Sequence, residues 1–153
     1  MTLDNIDRLI LAKLMEDAKK PYTEIAKEIH VSGGTVHVRM NKMEEAGIVK
    51  GASLNIDYSK LGYDITAFLG IYLDKSSLYE TVSEKLKEIP EVVGANYTTG
   101  NYSIFAKIVC KDTKHLRKVL HDKIQMIPGI QRTETFISLD DSINRHLDVS
   151  AEK

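Results

Sequence analysis

An internal repeat constrains the fold of this chain more than any other feature of its sequence. A shift of 38 positions aligns residues 65–92 with residues 103–130, and Ile89-Pro90 then falls on Ile127-Pro128. Each copy begins with alternating apolar residues, continues with apolar residues at helical spacing, and ends with Ile-Pro before another strand-like run. The sequence therefore predicts two successive strand–helix–strand units.

Two such units in tandem are typical of a ferredoxin-like βαββαβ sandwich, in which four antiparallel strands carry two helices on one face. Ser77 and Glu80 form a capping-box pattern at the first helix, and Asp112 or Thr113 can cap the second. The first strand is apolar on both of its sides, which indicates that a second subunit covers the sheet face left without helices. We therefore expect residues 61–153 to form an oligomerisation domain.

The first fifty residues instead contain three short amphipathic segments, predicted as helices over about residues 4–17, 22–30 and 33–46. Asp4 and Ser32 are plausible N-caps of the first and third, and Gly47 ends the third. A short helix, a tight turn and a longer helix make a helix-turn-helix arrangement, whose second helix enters the major groove. The overall prediction is an α+β chain with a winged-helix-like helix-turn-helix domain over residues 1–50, then a hinge strand and linker over residues 51–60. This hinge belongs to a longer strand-like run, residues 48–56.

The outward side of the third helix favours DNA reading over a plain structural core, although three short helices form either. With Val36, Met40 and Met43 inward, the exposed side carries short hydrogen-bonding groups, an apolar valine and two cations, with no acid between Val31 and Met43. Such groups suit base edges, a thymine methyl and phosphates, respectively. The predicted DNA-binding residues are Ser32, Gly34, Thr35, His37, Val38, Arg39, Asn41 and Lys42.

Composition limits the other functions that this chain can have. With 21 Lys and Arg against 22 Asp and Glu, a single copy should bind DNA weakly, so we expect several reading helices in one assembly. The lone Cys110 fits a reducing compartment, the acidic start MTLDNIDR is unlike a secretory signal, and no apolar run is long enough to span a bilayer. These features predict a cytoplasmic protein without membrane contact.

Enzymatic function is disfavoured by the placement of the titratable residues. The five histidines show no zinc-binding spacing and have no partner cysteines, and there is no phosphate-cradling glycine motif. We therefore expect no catalytic residues, no metal and no cofactor. One alternative stays open, an oligomeric amino-acid-binding sandwich whose helical domain is structural and does not read DNA.

Several motifs together resemble the Lrp/AsnC (feast/famine) family of bacterial and archaeal transcription regulators. They are SGGTVHVRMNKMEEAGIVKG, LGYD and TTGNYSIFAK, and they extend the resemblance over nearly the whole chain. Within the family, TTG-x-YSIF and the KIQ at Lys123 to Gln125 resemble the asparagine-responsive branch, whereas leucine-type regulators usually have an acid where Ser103 stands. Gly33-Gly34 departs from the family because it lacks the proline often found at this helix start. The resemblance implies a sequence-specific DNA binder that dimerises, assembles into an octamer and binds an amino acid between dimers.

Chemistry supports an effector site near residue 100. A free amino acid needs partners for its carboxylate and ammonium, and the backbone groups of a Thr98-Thr99-Gly100 turn could supply them. Asn101, Ser103 and Gln125 offer donors and acceptors to a carboxamide, so L-asparagine is the favoured effector. Alternatively, the segment is only a hairpin turn, and its tyrosines are either edge aromatics or a pocket wall. The predicted effector-binding residues are Tyr97, Thr98, Thr99, Gly100, Asn101, Ser103 and Gln125.

Overall fold

The structure, a computed structural model, describes residues 1–150 and divides into two compact units. The first unit comprises residues 1–55 and the segment that begins at Ile143, and the second comprises residues 56–142. Each unit has its own apolar core. The first boundary, between residues 55 and 56, lies within the segment 51–60 that the sequence predicts as a hinge, and the second, between residues 142 and 143, lies within the predicted second domain.

The first unit contains three helices, as the sequence predicts: α1 (Asn5–Glu16), α2 (Tyr22–Glu28) and α3 (Gly33–Glu45). Asp4 caps α1, because its carboxylate accepts from the backbone N–H of Asp7 at 2.9 Å while Asp7 accepts from that of Asp4 at 3.0 Å. After α3 the chain turns at Gly47, whose φ of 71° favours glycine. The core between the helices is formed by Ile10, Ile25, Ala26, Val36, Met40 and Met43.

The second unit is a four-stranded antiparallel sheet with helices on one face, which confirms the predicted ferredoxin-like arrangement. Its elements are β1 (Ile65–Leu73), α4 (Tyr79–Lys87), β2 (Val92–Tyr97), β3 (Ile104–Cys110), α5 (Thr113–Lys118) and β4 (Ile130–Ile137). The helix of the second repeat continues beyond α5 as a π-helical segment (Val119–Ile124). The strand order β2-β3-β1-β4 places the two strands that begin the repeats side by side at the centre.

Alternation along the central strands separates the two faces of this sheet. Leu69, Ile71 and Ile108 point towards the helices and are fully buried against them. Cys110 lies in the same core as a small buried hydrophobe, and burial raises the pKa of its thiol to about 11. The opposite face, here called the aromatic face, carries Phe68, Tyr72, Tyr102, Phe105 and Phe136.

Two local predictions are wrong. Residues 48–56 form no strand, because apolar alternation makes a strand only where the backbone finds a pairing partner, and the described chain offers none there. The predicted capping box at Ser77 and Glu80 is also absent: a 3₁₀ turn (Ser76–Leu78) precedes α4, and Leu78 occupies the cap position without a side-chain hydrogen bond. Leu78 instead packs on the core and against Gly129, so apolar packing sets this helix start. At α5, Asp112 caps as predicted, accepting from the His115 N–H at 2.7 Å.

Candidate functional site

The amino-terminal turn of α3 is held by a side-chain cap. The hydroxyl oxygen of Ser32 accepts from the backbone N–H of Thr35 at 3.0 Å, and the two hydroxyl groups lie 2.8 Å apart. The cap satisfies one of the N–H groups that a helix start leaves open. Gly33 and Gly34 therefore begin a regular helix without the proline common at such positions.

The burial pattern along α3 agrees with the faces inferred from the sequence. Val36, Met40 and Met43 are buried in the core, whereas Val38 is 53% exposed. Thr35 and Arg39 are half-buried. The other predicted reading positions are exposed, namely Ser32, Gly34, His37, Asn41 and Lys42. The helix thus presents short polar groups outward from a packed support, and their contacts with bases stay a prediction.

Arg39 is engaged by two acids of the first helical segment, which the sequence pattern of α3 does not reveal. Its Nη1 donates to Asp4 Oδ2 at 2.6 Å and to Asp7 Oδ1 at 2.9 Å. These hydrogen bonds raise the pKa of Arg39, and the bond from Arg39 holds the pKa of Asp4 below its usual value. Asp7 is the only buried charged residue among residues 1–150. The two cations of α3 are therefore not equivalent, because Lys42 has no ion pair within the same range.

A signal for this ion pair was present in the sequence of α1. Asp7 stands three residues before Ile10 and seven before Leu14, so it shares their core-facing side. An acid on an apolar helix face needs a partner, because an unpaired buried carboxylate is costly. Only the packing of α1 near α3 shows that Arg39 is that partner.

The predicted effector segment is the loop of the hairpin that joins β2 to β3. The Thr98 N–H donates to the Ser103 carbonyl at 3.1 Å, and the Thr98 hydroxyl donates to the Tyr102 carbonyl. The Ser103 N–H donates to the Ile71 carbonyl at 2.9 Å, which anchors the loop to the central strand. Thr99, Gly100 and Asn101 at its tip are exposed. The segment is thus a hairpin turn, as the alternative interpretation has it. This turn leaves backbone groups at its tip exposed, where a ligand could reach them.

The other predicted effector residues lie near the same end of the sheet. Tyr97 pairs with Ile104 and packs on Tyr79 of α4, with ring centroids 4.3 Å apart, while 57% of it stays exposed. Gln125 is exposed at the end of the π-helical segment, five residues before β4 begins. The starts of β3 and β4 both pair with the end of β1. The topology therefore brings Gln125 to the sheet end that carries the loop.

Tyr102 belongs to the aromatic face, not to the loop tip. Its ring covers Gly70, where an added Cβ would lie 2.5 Å from ring carbons. Its hydroxyl donates to Glu134 Oε2 at 2.7 Å, and that of Tyr72 donates to Oε1 at 3.2 Å. The bond to Glu134, and then partial burial, raise the pKa of Tyr102, and the same bond lowers the pKa of Glu134. Sequence reasoning missed Glu134, although alternation along β4 places it on the side of Phe136.

The aromatic face is continuous across the three adjacent strands β3, β1 and β4. Phe68 and Phe105 stack with centroids 5.9 Å apart, and Tyr102 meets Phe136 edge-on at 6.2 Å. Phe136 is 46% exposed. The face is therefore an apolar surface that the chain itself leaves partly open.

Two other kinds of site are absent from residues 1–150. No group of three or more His, Cys, Asp or Glu side chains in this range is arranged as metal ligands would be. No helix in it combines the length and the apolar character needed to cross a bilayer.

Comparison with known families decides where the chain belongs. The family model of the AsnC-type helix-turn-helix domain matches residues 3–44, and that of the Lrp/AsnC ligand binding domain matches residues 66–147. The chain belongs to the Lrp/AsnC family. This confirms the resemblance and favours a DNA-binding helical domain over a purely structural one.

Individual members of the Lrp/AsnC family are similar over almost their entire length. The Haemophilus influenzae protein named Regulatory protein AsnC is 49% identical over 145 residues, which cover 95% of this chain and 97% of that protein. Its Escherichia coli K12 counterpart is 47% identical over 94% of each chain. The solved structure of Escherichia coli AsnC has a TM-score of 0.91 at 44% identity and covers 97% of this chain and 99% of its own. A Neisseria meningitidis regulator in complex with L-Met, at 20% identity and a TM-score of 0.88, covers 94% of each chain and shows the shared fold.

Membership of the Lrp/AsnC family confirms the general function predicted from the sequence. The chain is a DNA-binding transcription regulator with a helix-turn-helix domain and a second domain of the Lrp/AsnC ligand binding type. The two relatives from Haemophilus influenzae and Escherichia coli K12 are named as regulatory proteins, which agrees with the prediction that the chain is not an enzyme.

Proposed function

We propose that this regulator senses L-asparagine through the β2–β3 hairpin loop and couples its binding to operator recognition by α3. The observation that carries the proposal is the loop itself, whose residues Thr99, Gly100 and Asn101 are exposed beside the half-buried Thr98 and Ser103. The similarity to proteins named Regulatory protein AsnC and the L-Met complex of a family neighbour add support. Because a DNA-binding regulator acts where its operator DNA is, the proposed location is the cytoplasm.

Each proposed effector residue has a chemical role. Thr98, Thr99 and Gly100 bind the ligand's carboxylate and ammonium through backbone groups. Asn101, Ser103 and Gln125 read the carboxamide, since they offer both donors and acceptors. Tyr97 forms an apolar wall beside them. An isobutyl side chain would leave those polar groups unpaired, so L-leucine should bind least.

Calorimetric titration of the full chain tests the effector. L-asparagine should bind, L-glutamine more weakly and L-leucine least. Ser103→Ala and Gln125→Ala should each weaken asparagine binding by about 1 to 3 kcal/mol, roughly 5- to 150-fold, the cost of removing a buried hydrogen bond. Thr81→Ala, at an exposed position of α4, is the matched control. Equal binding of leucine and asparagine, or variants that match the control, would refute the asparagine pocket.

We propose that different residues of α3 make different kinds of contact with DNA. His37 and Asn41 contact base edges, Val38 meets a thymine methyl, and Lys42 binds phosphate. Ser32, Gly34 and Thr35 approach the DNA at the helix start, and Arg39 keeps the helix in position. His37→Ala and Asn41→Ala should each reduce operator preference by about 1 to 3 kcal/mol and leave binding to random duplexes nearly intact.

Linkage connects the two domains in a second experiment. If asparagine binds the DNA-free and the DNA-bound regulator with different affinities, it must change the affinity of the regulator for its operator. By linkage, that factor equals the factor by which operator DNA changes the affinity of the regulator for asparagine. Operator binding measured with and without saturating asparagine gives one factor, and titration of the DNA complex gives the other. An amino acid that binds but leaves operator affinity unchanged is not the effector.

We propose that the regulator is a homodimer that assembles to an octamer, with the aromatic face buried between subunits. The partly exposed Phe136 and the aromatic rings around it support this, because an apolar surface of this kind favours association. Sedimentation of the full chain should detect a dimer or a larger assembly. Phe136→Glu should reduce its size, whereas Val93→Glu, at an exposed position of β2, should not. A monomer at micromolar concentration would contradict this assembly.

A further inference from the structure

A row of basic side chains lies on the outer side of the second repeat's helix. Lys114, Arg117, Lys118 and His121 follow one another at spacings of three, one and three residues, which places them on one helix face. All four are exposed, and all four line one shallow surface depression of about 480 Å³. We call these four residues the basic stripe.

The sandwich fold does not require the basic stripe. The aligned positions of the first repeat are Ser76, Tyr79, Glu80 and Ser83, so the equivalent helix carries no cation there. The cations that α4 does carry are paired, because Lys85 binds Glu88 at 3.0 Å and Lys87 binds Glu84. The internal repeat thus provides a comparison within one protein, in which the same architecture stands without the stripe.

The cations of the basic stripe are available to a partner. Within the described residues, Lys114, Arg117 and Lys118 have neither a salt bridge nor a side-chain hydrogen bond. The acids at its margins are already engaged, since Asp112 accepts from the backbone of His115 and Asp122 lies 2.7 Å from the ring nitrogen of His121. Three adjacent unpaired cations on an otherwise neutral chain make a local positive surface, which attracts a polyanion.

We propose that the basic stripe is a second DNA-contacting surface of this regulator, which binds the phosphate backbone of duplex DNA without reading its sequence. This proposal rests on the DNA-binding function of the chain. The basic stripe adds phosphate contacts beyond those made by α3. A net charge of −1 makes additional phosphate contacts valuable, because each neutralised phosphate adds affinity by releasing counterions. Lysine and arginine bind phosphate without distinguishing bases, so the stripe should strengthen binding to operator and random duplexes alike.

The test uses the full chain and the triple variant Lys114→Gln, Arg117→Gln, Lys118→Gln. The control triple variant is Lys75→Gln, Lys85→Gln, Lys87→Gln, which removes the same charge from the first repeat. Binding to an operator duplex and to a random duplex of equal length is measured at several salt concentrations. Thermal unfolding of both variants verifies that they fold.

The stripe variant should bind both duplexes about tenfold more weakly at low salt, and its plot of log affinity against log salt should flatten by about 0.9 for each phosphate that the stripe no longer neutralises. The preference of the stripe variant for operator over random duplex should not change, whereas that of Asn41→Ala should fall. Failure of the proposal for the basic stripe can therefore be distinguished from failure of the proposal for α3. Salt slopes equal to wild type, or an equal loss of affinity in the control, would overturn the proposal. So would competition by poly-L-glutamate as effective as that by duplex DNA, which would indicate an acidic protein partner.

Discussion

Replacing Arg39 should destabilise the first unit and not merely weaken its contact with DNA. The guanidinium is the partner of Asp7, whose side chain is 3% exposed. In Arg39→Ala, that carboxylate keeps only its bond from the Asp4 N–H. Loss of a charged hydrogen bond costs about 1.5 to 3 kcal/mol, and breaking a fully buried ion pair costs about 3 to 5 kcal/mol. Because 26% of the Arg39 side chain is exposed, we expect the free energy of unfolding to fall by about 2 to 3 kcal/mol.

Lys42→Ala is the matched control on the same helix. Lys42 is exposed and has no ion pair in the described residues, so its removal should change stability by less than about 0.5 kcal/mol. It should instead lower the salt slope of DNA binding by about 0.9, the value for one phosphate contact. The two cations, which look alike in the sequence, should therefore separate into one structural and one DNA-binding residue.

Amide hydrogen exchange of α1 and α3 is the appropriate assay, because it reports the opening of the first unit independently of the second. A double-mutant cycle with Asp7→Ala and Arg39→Ala should give a coupling energy of about 1.5 to 3 kcal/mol. Unchanged protection in Arg39→Ala, or a decrease of the same size in Lys42→Ala, would refute the reasoning from the buried pair.

Three further changes test the packing and the ion pairs. Gly70→Ala should lower the free energy of unfolding by about 1 to 3 kcal/mol, because the Cβ of the introduced alanine would displace the ring of Tyr102. An unchanged thermal midpoint would argue against that contact. Met43→Ala should lower the free energy of unfolding of the first unit, measured by amide hydrogen exchange, by about 2 to 5 kcal/mol. A decrease below about 1 kcal/mol would mean that the core closes around the gap. Burial raises the pKa of Glu91, but hydrogen bonds from Lys123 and His115 outweigh it and lower the pKa below 4.5. The stability that this ion pair contributes is therefore present above about pH 4.5 and is lost as the pH falls through the lowered pKa. In urea unfolding, Glu91→Gln should have a lower free energy of unfolding than wild type at pH 7, and that free energy should fall less on acidification. Parallel curves of unfolding free energy against pH would contradict this.

The sequence alone determined the main elements of both units, because each element follows from a periodic pattern that local geometry turns into a face. The repeat from Ile65 onward predicted the order of strands and helices, and the inward stripe of Val36, Met40 and Met43 predicted which side of α3 is exposed. Such patterns are informative because the period of a helix or a strand fixes which residues share a side. The effector residues at the hairpin loop follow instead from the chemistry of a glycine-containing turn and from the family resemblance, not from periodicity.

Only the tertiary structure decided how residues distant in the chain combine. The run from Ile48 alternates as a strand does, yet it stays unpaired in the described chain, since strand formation depends on a neighbour and not on pattern. Leu78 packs against Gly129 and thereby displaces the capping box that Ser77 and Glu80 suggested. Arg39 carries the same charge as Lys42 in the sequence, but of these two cations only Arg39 lies within hydrogen-bond reach of Asp7, because the packing of α1 near α3 brings the two charges together.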